Sequence, residues 1–239
     1  MVSPLDSLNS DRNSNDPGTN KNIPMKNEEI KNHWEKIYST KQPNEVSWTQ
    51  ENPKTSLDFI HSFNLPRQAS IIDIGGGDSK LVDKLINEGF EDITVLDISE
   101  HALLRTKERL GEMGKKVKWV VSDITEFKTE KTFDLWHDRA TFHFLTTIDQ
   151  INKYLERAKK NIKDNGFLTI GTFSKNGPKK CSGLEIKQYS EETLQDQLKK
   201  GFKKIKCVTE DHRTPFDTLQ NFLFCSFKRL TISRGSAQQ

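Results

Sequence analysis

Two stretches of this chain carry residue types able to do chemistry. In the first, residues 70–80 read Ser-Ile-Ile-Asp-Ile-Gly-Gly-Gly-Asp-Ser-Lys, so a β-branched run containing Asp73 drives into Gly75, Gly76 and Gly77. That pattern predicts a strand, a tight turn and a helix start, with glycines that let backbone N–H groups approach a ligand closely. Asp97 lies 20 residues beyond Gly77, at the end of the apolar run 93–96. A carboxylate at that spacing can accept from both hydroxyls of a ribose, so turn and carboxylate together read as a nucleoside-cofactor site. A dinucleotide turn would place its third glycine where Lys80 stands, which disfavours a reductase.

The second stretch is Trp136-His-Asp-Arg-Ala-Thr-Phe-His-Phe144, just after the apolar run 133–136. Open α/β sheets gather their sites at such strand ends. His137, Asp138 and His143 are the candidate proton acceptors, while Arg139 can fork onto a carboxylate or pair with Asp138. His143 sits between two phenylalanines and also reads as a core histidine.

The elements that must position these groups follow from the hydrophobic pattern. Strands are expected at 70–74, 93–96, 117–121, 133–136, 167–173, 202–210 and 220–228, and helices at 28–40, 52–63, 80–89, 99–111, 149–163 and 190–200. Asn165-Gly166 reads as the exit turn of the fifth helix, and 174–184 as a long flexible loop. Asp211 to Pro215 reads as a tight turn presenting His212 to a substrate.

Composition bounds the function. The 239 residues fit one domain, 26–230, between a disordered leader at 1–25 and a short tail at 231–239. Thirty-seven basic against 34 acidic residues give a net charge of +3, too balanced to select nucleic acid or an anionic membrane. Neither a signal-peptide core nor a membrane-spanning run is visible. Cys181, Cys207 and Cys225 are odd in number and widely spaced, which favours a reducing, cytoplasmic setting over disulfides or a zinc site. Cys181, beside Lys179 and Lys180, reads as a reactive thiolate or, more simply, a bystander. No metal site and a monomer are expected.

The run Asp73-x-Gly-x-Gly-x-Ser79 resembles the glycine-rich motif of class I S-adenosylmethionine (SAM) methyltransferases. The resemblance implies an α/β, Rossmann-like fold: a seven-stranded, mostly parallel sheet with helices on both faces and an antiparallel last strand. It implies SAM as cofactor, contacted by Asp73, Gly75, Gly76 and Gly77, by Asp97 and Ile98, and by Asp123 and Ile124 at the adenine. A plain turn cap is the alternative for Asp123. SAM carries an ammonium and a sulfonium and no phosphate, so a carboxylate at the strand end suits it.

Trp34 and Tyr38 are similarly placed to the N-terminal lid of that family, where aromatic faces attract a sulfonium; core packing is the simpler account. Residues 137–141 resemble the Asp-Lys-Gly-Thr motif of the eukaryotic lysine methyltransferases acting on elongation factor 1A and citrate synthase, and equally the Trp-Asp-Arg-Gly-Ala run of thiopurine methyltransferases. The expectation is methyl transfer to a small molecule, with Arg139 and His212 on the substrate side because Arg139 suits an acidic acceptor. Protein-lysine methylation is the rival, and a SAM-binding module without turnover a weaker one.

Overall fold

The computed structural model describes residues 27–231, so the expectations for 1–25 and for all but the first residue of 231–239 lie outside the described residues. The order is α1 (Asn27–Thr40), α2 (Lys54–Ser62), β1 (Ser70–Ile74), α3 (Leu81–Asn87), β2 (Asp92–Asp97), α4 (Glu100–Leu110) and β3 (Val117–Val121). It continues with β4 (Phe133–Arg139), α5 (Ile148–Asn161), β5 (Ile162–Phe173), β6 (Lys180–Cys181), β7 (Leu184–Glu185), α6 (Glu191–Leu198), β8 (Phe202–Arg213) and β9 (Leu219–Arg229). Seven strands form one sheet in the order β3-β2-β1-β4-β5-β9-β8, parallel throughout except for β9, which runs against both neighbours. The chain builds outward from β1 to β3 and then crosses back to β4, so the order reverses between β1 and β4. A crevice opens at such a reversal, beyond the carboxyl ends of the strands.

β1 is buried along its whole length, as a central parallel strand must be. Its alternate residues serve different layers. Ile72 and Ile74 pack with Trp136, Tyr154 and Leu194 under α5 and α6, whereas Ile71 packs with Leu57, Leu85 and Leu103 under α2, α3 and α4. α5 opens on a capping box between Thr147 and Gln150 and buries Ile151, Tyr154 and Ala158 along one face.

Four sequence expectations need correction. β4 does not stop at Trp136 but runs to Arg139, so His137, Asp138 and Arg139 are strand residues with alternating directions. β5 begins at Ile162, and Asn165, at φ 63°, sits with Gly166 where the register shifts, as a bulge rather than an exit turn. The segment expected to be a flexible loop carries the β6–β7 ribbon, turned at Ser182 and Gly183, both at positive φ. His212 lies inside β8, not on a turn.

The cysteines also differ. Cys207 and Cys225 face each other in register across β8 and β9 and form a disulfide. The thiol count therefore no longer argues for a reducing compartment. Among the described residues no helix is long and apolar enough to cross a membrane, and no cluster of His, Cys, Asp and Glu has the makings of a metal site.

Candidate active site

A cavity of about 290 Å³ fills the crevice between β1 and β4. Its floor is Gly75 and Gly76 of the turn after β1, with Asp97 at the end of β2 and Ile98 beyond it, Asp123 and Ile124 after β3, and His137, Arg139 and Thr141 from β4 onward. Its roof is Trp34 and Tyr38 of α1, the segment around Trp48 and Gln50, and Cys181 of β6.

The turn is tight for reasons of space. Gly75 has φ +64°, and a Cβ there would come within 1.8 Å of the Thr141 hydroxyl oxygen. Gly76 is crowded by Val95 and Asp73, and Gly77, at φ +44°, by Tyr38 and Asp97. Side chains are thus excluded from the surface a cofactor would approach. α4 holds the turn from behind: Thr106 donates to the Gly77 carbonyl at 2.9 Å, and Arg109 to the carbonyls of Asp78 and Ser79 at 3.0 and 2.8 Å. Arg105 bonds the Asp78 carboxylate and donates to the carbonyls of Tyr38 and Lys41, tying α1 to the turn.

Glu35 makes a second tie. Its carboxylate accepts from the Ser99 hydroxyl at 3.0 Å, the Glu100 N–H at 2.7 Å and the His101 N–H at 3.3 Å, and meets His101 Nδ1 at 2.6 Å. These are the free donors at the start of α4, where a negative charge is favoured. Burial works to raise the Glu35 pKa, but the hydrogen bonds from Glu100, His101 and Ser99 outweigh it and hold the group below its ordinary value.

Asp97 accepts from the Ser99 N–H at 2.8 Å. Burial pushes its carboxyl up to about 7, and the charges of Asp78 and Asp73 add to that rise against the opposing bonds from Ser99 and Gly77. Three carboxylates around one glycine turn thus form a site that gains from hydroxyl donors and positive charge. Trp34 packs edge-on against Phe144 and Trp48, with ring centroids 5.1 and 5.7 Å apart, and joins Tyr38 in the aromatic wall. The phenol of Tyr38 is raised well above its ordinary pKa by burial and by Asp97 and Asp78, so it stays protonated.

The β4 residues divide by strand alternation. His137 faces the cavity side, with Nδ1 at 2.7 Å from Asp73 and Nε2 at 2.9 Å from the Ser56 hydroxyl, all three groups buried. Asp138 points the other way. Its carboxylate accepts from the N–H groups of Thr141 and Phe142, both at 3.1 Å, and lies beside Tyr154. Burial pushes it up to about 7. It caps the short helical turn at Phe142–Phe144 and is not among the cavity's lining residues. His143 is likewise withdrawn, stacked on Phe173 at 4.5 Å, and burial with the nearby Arg139 charge pushes it down to about 3. It is a neutral core histidine.

His212 is also outside the lining: it holds the roof instead, through the Ser47 carbonyl at 2.7 Å and Gln50 at 3.4 Å. Cys181 faces the cavity, but burial pushes its thiol up to about 11, which makes it the bystander of the two readings.

Sequence reasoning missed Ser56, Asp78, Glu35 and Arg105. The arginines of α4 left a trace, since Arg105 and Arg109 are four residues apart and share a helix face. Ser56 left none.

An open α/β sheet with carboxylates around a glycine turn at its reversal point defines a nucleoside-cofactor enzyme fold. The Methyltransferase domain family matches residues 66–223, and the chain belongs to that family. EEF1A lysine methyltransferase 2 of Danio rerio is 28% identical over 133 residues, covering 53% of this chain and 57% of that protein. The chain spans less than two thirds of the length of such curated relatives, and only 17% of the eEF1A lysine and N-terminal methyltransferase of Mus musculus.

Among solved structures, the 1,6-didemethyltoxoflavin-N1-methyltransferase of Burkholderia thailandensis, with 1,6-didemethyltoxoflavin and S-adenosylhomocysteine bound, superposes with a TM-score of 0.63. Identity is 19%, over 84% of this chain and 88% of that one. The N-methyltransferase NodS of Bradyrhizobium japonicum gives 0.55 at 18% identity, over 75% and 89%. These likenesses establish a shared fold, the seven-stranded one expected from the sequence.

Proposed function

We propose that the chain is a SAM-dependent methyltransferase acting on a small molecule. The observation that carries the reading is the ring of Asp73, Asp78 and Asp97 around the glycine turn, walled by Trp34 and Tyr38. In this reading Asp97 takes the ribose hydroxyls, Asp123 and Ile124 the adenine, and Asp73 with Gly75 and Gly76 the amino acid part, Gly77 leaving room for Tyr38. Trp34 and Tyr38 face the sulfonium. Bound SAM supplies an electrophilic methyl group, so the protein's task is to hold the acceptor in line and exclude water.

His137 is the base when the acceptor arrives protonated. Asp73 orients the ring from one side, and the Ser56 hydroxyl bonds the other nitrogen at 2.9 Å at the cavity wall. A proton leaving the acceptor passes to Nε2 through Ser56, the hydroxyl giving up its own proton to Nε2 as it receives one. Arg139 is on the acceptor side. The roof of α1, the Trp48 segment and β6 supports a small acceptor, since an extended peptide side chain needs an open channel.

The rival, protein-lysine methylation, draws on the elongation-factor relatives. Incubation of the purified protein with methyl-labelled SAM and a lysate of its source separates the two. Label in the small-molecule fraction is expected; label confined to one protein band would establish the rival, and no transfer with no SAM binding would remove both.

A further inference from the structure

Arg139 is held at one end only. Its Nη1 donates to the Trp48 carbonyl at 2.9 Å, and the guanidinium lies over the Phe222 ring, 5.0 Å from its centroid. Nε and Nη2 are buried and donate to nothing. These two groups share one edge of the guanidinium, the edge whose parallel N–H bonds match the two oxygens of a carboxylate. A buried charged group with half its donors unmet is costly, and such a group in a cavity wall calls for a partner.

No carboxylate among the described residues pairs with it. The carboxylates that face Arg139 are Glu210 and Asp73, which favour its charge; Cys181 lies nearby, and His143 and His212 have their pKa values lowered by burial first and by the Arg139 charge second. Glu210 is the nearest thing to an internal partner, yet it forms no ion pair with Arg139; its Oε1 is taken by Gln50 at 3.3 Å and its Oε2 is unmet. Burial draws the guanidinium down to about 10, which leaves it charged at neutral pH. Trp34, Trp48 and Phe144 supply flat apolar surface in the same cavity.

We infer that the Nε–Nη2 edge of Arg139 is the anchor for a carboxylate on the methyl acceptor, so that the acceptor is a flat, acidic small molecule. This rests on the cavity being the shared site of cofactor and acceptor. The carboxylate takes both free N–H groups while the aromatic wall covers the ring, turning the remainder of the molecule toward the glycine turn.

The test uses benzoate and its uncharged isostere benzamide, titrated by calorimetry into the full chain with and without saturating S-adenosylhomocysteine. Benzoate is expected to bind about tenfold or more tighter than benzamide, and Arg139→Gln to erase that preference. Arg139→Lys keeps the charge but not the paired edge, and is expected to lose most of the preference. Equal binding of the two probes to the wild type overturns the inference. If Glu210→Gln then creates a preference, Glu210 is the partner of Arg139. Full preference in Arg139→Lys overturns the forked contact. Absence of S-adenosylhomocysteine binding is read separately and strikes the methyltransferase reading, while the benzoate titration without it still decides the anion site. Thermal melting of each variant shows whether a lost preference reflects lost folding.

Discussion

Asp73 and His137 are register partners on neighbouring parallel strands, and their side chains meet at 2.7 Å on the cavity side of the sheet. The next residue, Asp138, is directed by the same pleat into the α5 layer. Location in sequence made the two look equivalent; alternation separates them.

His137→Gln is therefore expected to lower methyl transfer by about 10²- to 10⁴-fold, the range for a lost acid–base group, with cofactor binding largely kept. Asp138→Asn can still accept from Thr141 and Phe142 and is expected to retain transfer. Single-turnover transfer from labelled SAM, beside calorimetric binding, checks both. Inactive Asp138→Asn with normal melting would return the catalytic role to that residue.

The affinity for S-adenosylhomocysteine should rise with pH through about 7, because that is where burial has pushed Asp97. Binding of ribose hydroxyls selects the ionised carboxylate, so each unit below 7 costs about tenfold and the curve levels off above it. The unliganded protein is expected to have the opposite linkage. A carboxyl raised from its ordinary 3.8 to about 7 leaves the folded state binding more protons than the unfolded one, so stability falls as pH rises across that window. Asp138, also raised to about 7, shares the stability effect but does not face the ligand. Asp97→Asn should flatten the affinity curve, and calorimetry from pH 5.5 to 8.5 (about three units around the midpoint) measures it.

Glu35→Ala removes the acceptor shared by Ser99, Glu100 and His101 and is expected to loosen α1 from α4. Hydrogen bonds to a charged group are worth about 1.5–3 kcal/mol each, and partial loss through the roof predicts S-adenosylhomocysteine dissociation about tenfold faster. Trp34→Ala should weaken binding as well. Stopped-flow displacement provides the rates, and unchanged dissociation in Glu35→Ala would make α1 a fixed wall.

Alkylation counts the thiols. In denaturant without reductant, one cysteine is expected to react, Cys181; after reduction, all three. Three reactive thiols before reduction would mean that β8 and β9 are joined by the sheet alone.

The parts of the molecule legible in the sequence are those set by local pattern. Ile71, Ile72 and Ile74 before three glycines fix a buried strand and its turn, and the distance to Asp97 follows from one βαβ unit. The parts that were not legible depend on partners distant in the chain. Where β4 ends is decided by pairing with β1 and β5, so the facing of His137 and Asp138 was open. Ser56 meets His137 across 81 residues of chain. Cys207 and Cys225 become opposite only once β8 and β9 adopt their register, which shifts between Lys204 and Lys206. His212 looked available because the strand holding it is longer than its apolar run.

The pleat of β4 also governs how this site tolerates insertions and deletions. Substitutions at 133–136 change packing but leave the directions of the following three residues intact. Removing or adding a single residue there reverses them, presenting a carboxylate to the cavity and withdrawing both the imidazole and the guanidinium. The length of that apolar run thus acts as a reading frame for the chemistry.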